Sequence, residues 1–254
     1  MNGKRQREVR VTGRNAVRAL FDARPDDVMR FFLIEEAVHG FGEDLRRLAR
    51  SRKPYRVVPR VELDALAEGT HHEGVCAFAR PRDEVSLAAV LAKPGPLSLV
   101  ALPGVGNPHN LGAILRVAAH FGVDAVLLED DGPRLTAAAA RIAEGGAEHV
   151  ALVRVPRLED VLGALRAQGV ELLGTSSHAE GARSLYATKL GARSLFVFGA
   201  EGEGLPPSLL RAMDANLEVP GSGHVESLNV ATAVAVVLGE AYRQRGGAGK
   251  PAGR

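Results

Sequence analysis

The 254-residue sequence holds one cysteine, Cys76, so it has neither an internal disulfide nor a cysteine-based zinc site. Cys76 lies in the apolar run Gly74-Val75-Cys76-Ala77-Phe78-Ala79 and reads as a small buried hydrophobe. No run of about eighteen apolar residues is present, which excludes a membrane-spanning helix. The charged start, Met1 to Arg7, has no apolar stretch behind it and does not read as a secretory signal. A cytoplasmic location is expected. The Gly-x-x-x-x-Gly-Lys-Ser/Thr phosphate loop is missing, which excludes a P-loop NTPase. Gly104-Val105-Gly106 opens like a dinucleotide fingerprint, but His109 stands where the third glycine belongs, which argues against a nicotinamide-dependent oxidoreductase. His71 and His72 are adjacent, and His109, His120, His149, His178 and His224 lack the spacing of paired ligands, so no metal is expected. No internal repeat is visible.

What is there is ordinary globular material. Hydrophobic residues make up 46% of the chain and the net charge is +2. The charge is unevenly spread. Residues 1–93 carry 18 Lys+Arg against 14 Asp+Glu, whereas residues 94–254 carry 14 against 16. Lys4, Arg5, Arg7, Arg10, Arg14 and Arg18 crowd the start, a stretch suited to neutralising phosphates.

The first third reads as a small α/β unit. Helical spacing covers 15–21, 44–52 and 61–67, and short apolar strands cover 28–34, 55–58 and 74–78. Residues 81–96, with three prolines, read as a linker with room for one helical turn. Beyond it, apolar strands at 97–102, 124–128, 150–153, 170–174, 194–198 and 215–219 alternate with helices at 110–121, 134–142, 158–167, 206–213 and 228–242. Strands apolar throughout and alternating with helices predict a parallel sheet covered on both faces. The divisions expected are a basic tail (1–10), a small α/β domain (11–80), the linker (81–96), a parallel-sheet domain (97–245) and a disordered tail (246–254).

Ligands of open parallel sheets sit at the carboxyl ends of the strands. Three such ends carry glycine-rich or polar loops: Pro103 to Asn107, Gly199 to Gly204 and Pro220 to His224. Extended, they become three motifs. The first is Asn107-Pro108-His109-Asn110-Leu111-Gly112-Ala113-Ile114-Leu115-Arg116. The second runs from Phe196 through Gly199-Ala200-Glu201-Gly202-Glu203-Gly204 to Leu205. The third runs from Val219-Pro220-Gly221-Ser222-Gly223-His224 to Val225-Glu226-Ser227-Leu228-Asn229-Val230. In this order and spacing they resemble the SpoU (TrmH-type) branch of the SPOUT RNA methyltransferases. Gly13-Arg14-Asn15-Ala16-Val17 and His72-Glu73-Gly74-Val75 resemble that family's substrate-binding domain, which is similar to ribosomal protein L30e. Ala143 to His149 and Thr175 to His178 resemble a bacterial subgroup acting on tRNA or rRNA.

The resemblance implies a deep trefoil knot in the C-terminal region, S-adenosylmethionine as methyl donor (with S-adenosylhomocysteine as product), a ribose 2′-hydroxyl as acceptor, RNA as partner and a homodimer with active sites near its interface. Ribosomal RNA is the first expectation for the substrate and transfer RNA the second; a non-catalytic RNA-binding protein of the same fold is the alternative. The family pattern makes Arg116 the catalytic arginine, pairing with RNA phosphate and stabilising the developing alkoxide. Asn110 is expected to orient Arg116 or the ribose, unless it only caps a helix. Glu201 is the second-motif carboxylate, expected to pair with Arg116 or Asn110. Ser227 is a candidate cap of the last helix and Asn229 a residue holding the loops, and a supporting catalytic role is expected of both. Gly199, Val219 and Leu228, with Thr175 and Leu217 near, are the positions expected to hold the donor, mainly through backbone. Arg14 joins Arg116 as an expected RNA contact. Two departures from the family pattern stand out. Val117 follows the arginine where Thr or Ser is usual, and Gly221 replaces a bulky apolar residue.

Overall fold

The computed structural model describes residues 8–83, 85–176 and 179–246. The basic start at 1–7, Ser177-His178 and most of the tail expected at 246–254 lie outside the described residues. Along the chain run β1 (Val9–Thr12), α1 (Arg14–Ala23), β2 (Val28–Leu33), α2 (Gly42–Arg50), β3 (Tyr55–Val57), α3 (Arg60–Ala67) and β4 (Val75–Ala79). They are followed by α4 (Leu87–Leu91), β5 (Leu97–Ala101), α5 (Pro108–His120), β6 (Ala125–Glu129), α6 (Ala137–Ile142), α7 (Gly146–His149), β7 (Ala151–Val155) and α8 (Leu158–Ala167). The remainder is β8 (Glu171–Thr175), β9 (Arg183–Ser184), β10 (Arg193–Phe198), α9 (Pro207–Ala212), β11 (Ala215–Glu218) and α10 (Val230–Gln244). Contacts divide the chain into two units. One holds residues up to Asp83 together with Leu135–His149; the other holds Glu84–Arg134 and the chain from Val150 onward.

The first unit is a four-stranded sheet in the order β1-β4-β2-β3, antiparallel except for the parallel β2–β3 pair. Its core is aromatic: the Phe21 and Phe31 rings meet edge to face at 5.2 Å, with Phe41 5.3 Å from Phe31. Cys76 is buried there, as expected for a small hydrophobe, and burial pushes its thiol up to about 11. His72 is fully buried; its Nδ1 accepts from Gly74 N–H at 2.9 Å, which leaves Nε2–H to donate to Asp64 at 2.8 Å.

The boundaries differ from the sequence expectation in two places. Residues 135–149, placed by their alternation in the second domain, belong to the first unit, where α6 packs on β1 and α7 on α1. The reason lies in side chains far apart in sequence. Arg24 grips Glu148 with two nitrogens, Nε to Oε2 at 2.8 Å and Nη2 to Oε1 at 3.1 Å, with side-chain exposures of 15% and 8%. Asn15 Nδ2 donates to Glu144 Oε2 at 2.6 Å. Gly145 has φ +90°, and a Cβ there would lie 2.7 Å from Ala19 Cβ; glycine is what lets the segment close on α1. The expected linker is also shorter than 81–96. Ser86 caps α4, whose Val90 and Leu91 are buried in the second unit's core.

The second unit carries a seven-stranded, wholly parallel sheet in the order β7-β6-β5-β10-β8-β11-β9. Its central strands are buried along their length, as continuous apolar runs require. On α5, Leu111, Ile114, Leu115 and Ala118 recur at helical spacing and are buried, and α5 packs against α10.

Candidate active site

The carboxyl ends of β5, β10 and β11 release the three loops singled out in the sequence. The first leads into α5, whose cap is Asn107: its side chain accepts from His109 N–H at 2.9 Å. Asn110 is therefore the third residue inside the helix. The capping alternative for Asn110 falls, because the helix starts two residues earlier than expected with Pro108 in its first turn. Its amide is free to point elsewhere.

The second loop turns back at once. Gly204 N–H bonds to Ala200 C=O at 2.9 Å, the two residues form an isolated antiparallel bridge, and Gly202 and Gly204 take positive φ. This tight turn presents Glu201. Its Oε1 accepts from Asn110 Nδ2 at 3.1 Å, from Asn229 Nδ2 at 2.5 Å and from Val230 N–H at 3.4 Å. Asn229 Nδ2 also reaches Asn110 Oδ1 at 3.4 Å.

The third loop ends on Asn229, which is the cap of α10. Its Oδ1 accepts from Ala231 N–H at 2.9 Å and Thr232 N–H at 3.4 Å. The cap expected at Ser227 is therefore at Asn229 instead, and Ser227 is exposed in the loop before it. The Asn229 amide has one possible orientation: oxygen to the helix N–H groups, nitrogen to Glu201. One residue from each loop thus meets in a single hydrogen-bonded cluster.

Arg116 does not join that cluster. Six residues separate it from Asn110, which is about 9 Å of rise and about 120° of rotation on a helix. It is exposed and has no hydrogen bond or ion pair among the described residues. The pairing of Glu201 is with Asn110, not with Arg116.

The expected donor positions lie on the same sheet edge. Thr175 ends β8 between Phe198 and Leu217 of the flanking strands, and its Oγ1 donates to Val197 C=O at 3.0 Å. Leu217 is buried, Val219 half-buried, and Leu228 is 42% exposed, an apolar side chain left open to solvent beside polar loops. At Gly199 an added Cβ would fall inside the carbonyl of Gly204 and 2.5 Å from Leu205 N. Gly104 approaches the same turn: its Cβ would sit 3.5 Å from Ala200 Cβ. Arg14 belongs to the first unit, where its N–H donates to Glu73 Oε2 at 2.8 Å and its Nε to Glu73 C=O at 3.0 Å.

Residues 98–239 match the model of the SpoU rRNA Methylase family, and residues 10–85 match RNA 2′-O ribose methyltransferase substrate binding. The chain belongs to the SpoU family. Among its relatives, the uncharacterized tRNA/rRNA methyltransferase YfiF of Escherichia coli O157:H7 is 38% identical over 242 residues, 95% of this chain and 70% of that protein. The 23S rRNA (guanosine-2′-O-)-methyltransferase RlmB of Vibrio vulnificus is 34% identical over 244 residues, 92% of this chain and 96% of its own. In fold, the chain is similar to the SpoU methyltransferase AviRb of Streptomyces viridochromogenes, solved in complex with AdoMet, with a TM-score of 0.75 at 22% identity over 94% of this chain and 90% of that one. The fold expected from the three motifs, a parallel-sheet domain preceded by a small N-terminal domain, is thereby established, and RNA methylation is the activity class of the family to which the chain belongs.

Proposed function

We propose that this SpoU protein transfers a methyl group to a ribose 2′-hydroxyl of ribosomal RNA. The observation that carries the reading is the junction of Asn110, Glu201 and Asn229, which ties the three strand-end loops into one constellation. The nearly full-length likeness to the 23S rRNA enzyme of Vibrio vulnificus supports ribosomal RNA over transfer RNA.

The residues fit the donor. Adenosine is held well by backbone N–H and C=O groups in an apolar slot. The turns at Gly199 and Val219 offer such backbone, and Leu228 offers an exposed apolar wall. When bound, S-adenosylmethionine supplies an electrophilic methyl group. The protein's work is then to align the acceptor and stabilise the charge that develops on its oxygen. Glu201 fixes Asn110 and Asn229 through one oxygen and so sets the shape of all three loops. Arg116, a permanently charged guanidinium with all its donors free, contacts an RNA phosphate and the developing alkoxide. Ser227 lies in the third loop as a supporting hydroxyl. The active form is a homodimer, in the cytoplasm: an exposed Arg116 that is not bonded to its own amide cluster is suited to a site completed by a second copy. Light scattering checks the assembly.

The deciding experiment uses tritium-labelled donor with ribosomal RNA and, in parallel, transfer RNA from a strain deleted for the gene. Label is expected in ribosomal RNA at a ribose resistant to alkaline cleavage. Label only in transfer RNA rejects the substrate; label in neither rejects the enzyme.

A further inference from the structure

The structure relocates the positive charge available to RNA. Among the described residues, the arginines nearest the chain start are spent on the protein itself. Arg10 pairs with Glu68, Arg18 with Asp44 at 2.6 Å, Arg24 with Glu148 and Arg30 with Glu8. Arg14 is bonded to Glu73. A second basic stretch behaves differently. Residues 45–61 contain six arginines and one lysine and no acidic residue. Among them Arg46, Arg50, Arg52 and Arg60 are exposed, and their side chains have no hydrogen bond or ion pair among the described residues. Among the described residues Arg56 pairs with half-buried Glu62, at 3.1 Å, a surface contact worth about 0–1 kcal/mol that a phosphate can displace.

These side chains share one element boundary. They lie on the last turns of α2, on the turn after it, on β3 and at the start of α3. β3 is the terminal strand of its sheet, with no strand on its outer side among the described residues. Phe31 N–H bonds to Pro54 C=O and Val58 N–H to Leu33 C=O, so the alternate residues Tyr55 and Val57 turn their backbone groups outward. Tyr55 is also 39% exposed, an aromatic ring left in solvent within a row of free guanidinium groups, with exposed Val57 and Val61 beside it.

We infer that the β3 edge of the first unit, from Arg46 to Arg60 with Tyr55 at its centre, is a docking surface for an unpaired segment of RNA. The free arginines meet successive phosphates, and Tyr55 stacks on a base that a duplex would keep inside its helix. A protein strand is the poorer occupant, because arginines along an edge oppose strand addition and an acid-free run of seven cations favours a polyanion. The inference rests on the RNA-methylating function proposed above and adds where and in what form the RNA is gripped.

The test uses the full-length protein and fluorescence polarisation with labelled single-stranded poly(U), and with a poly(A)·poly(U) duplex for comparison. Replacing Arg50, Arg52 and Arg60 together by Ala is expected to lower the slope of log affinity against log salt by about 2, at roughly 0.7 per lost phosphate contact. Tyr55→Ala is expected to weaken single-strand binding about tenfold and to leave duplex binding unchanged. Both variants alter exposed side chains, so thermal unfolding and S-adenosylmethionine binding are expected to match the wild type. An unchanged slope in the triple variant overturns the proposal, as does loss of single-strand binding only in Arg14→Ala. Equal weakening of duplex and single strand by Tyr55→Ala overturns the stacking role. A wild type that binds donor but neither RNA overturns the RNA-methylating function itself, an outcome distinct from the others.

Discussion

Gly199→Ala is the sharpest perturbation that the site offers. A Cβ there would overlap the Gly204 carbonyl and lie 2.5 Å from Leu205 N. Carbon contacts settle near about 3.5 Å and the Gly204 carbonyl carbon would lie 2.1 Å away, so the turn must open by more than an ångström. The atoms in the way are backbone, so no rotamer change relieves the clash. Opening breaks the Gly204 N–H to Ala200 C=O bond, worth about 0.5–1.5 kcal/mol, and overpacking adds about 1–3 kcal/mol. The sum, about 1.5–4.5 kcal/mol, lies below the roughly 5–15 kcal/mol that holds a typical domain together, so the protein is expected to fold. Glu201 moves with the turn, however, and its bonds to Asn110 and Asn229 do not survive such a shift. A misplacement of about an ångström costs about a hundredfold in rate. The assay is donor binding by calorimetry together with single-turnover methylation of ribosomal RNA. Gly221→Ala is the control: nothing lies within 4 Å of its added Cβ and its φ is not positive, so it is expected to bind and turn over normally. Wild-type donor affinity and rate in Gly199→Ala, with the fold intact, would refute the reasoning.

Four other outcomes are expected. Arg116→Ala abolishes methylation while calorimetry shows donor affinity within about twofold, because the side chain is exposed and has no partner among the described residues. Asn229→Asp keeps the cap on α10 but sets a second carboxylate against Glu201, and Asn229→Ala loses the cap and about 1 kcal/mol; both lose turnover, and an active Asp variant in the methylation assay rejects that role. Glu148→Ala removes the two-nitrogen partner of half-buried Arg24, which keeps Asp27 at 3.3 Å and the Arg80 carbonyl at 2.6 Å, and lowers stability by about 1.5–3 kcal/mol in urea unfolding. Hydrogen bonds from Arg243 and Gln244 hold the Glu240 carboxyl at about 2, below its unfolded value. Its stabilising effect is therefore complete at neutral pH and lost as pH falls toward about 2, so the melting difference between wild type and Glu240→Gln should shrink over that range.

The second unit was legible because a buried parallel strand must be apolar along its length, and its helices must repeat every three to four residues. The α8 range matched the pattern, and most other bounds moved by one to three residues. Strand β9, two residues long, has no period to read. Strand β1 was hidden in a stretch taken for basic tail, where Arg10 is half-covered by its pair with Glu68. The three motifs identified Asn110, Glu201 and Asn229, but not their geometry: which asparagine caps a helix depends on where the helix starts, and a proline two residues earlier decided it. Charge was the least legible property. Arg14 and Arg18 look as free in the sequence as Arg50 and Arg60, and only tertiary partners such as Asp44 and Glu73 separate them.

Because Leu135–His149 completes the first unit, that unit is not a continuous piece of chain. During synthesis a continuous N-terminal domain closes as soon as it leaves the ribosome. Here β1 waits for α6, Ala19 waits for Gly145, and Arg24 lacks its two-nitrogen grip until Glu148 emerges. By then β5, α5 and β6 of the other unit have also been made. The two units therefore cannot mature one after the other, and a gene cut at the apparent boundary near Asp83 yields a first fragment without its buried carboxylate and a second carrying two helices made for a surface it no longer has.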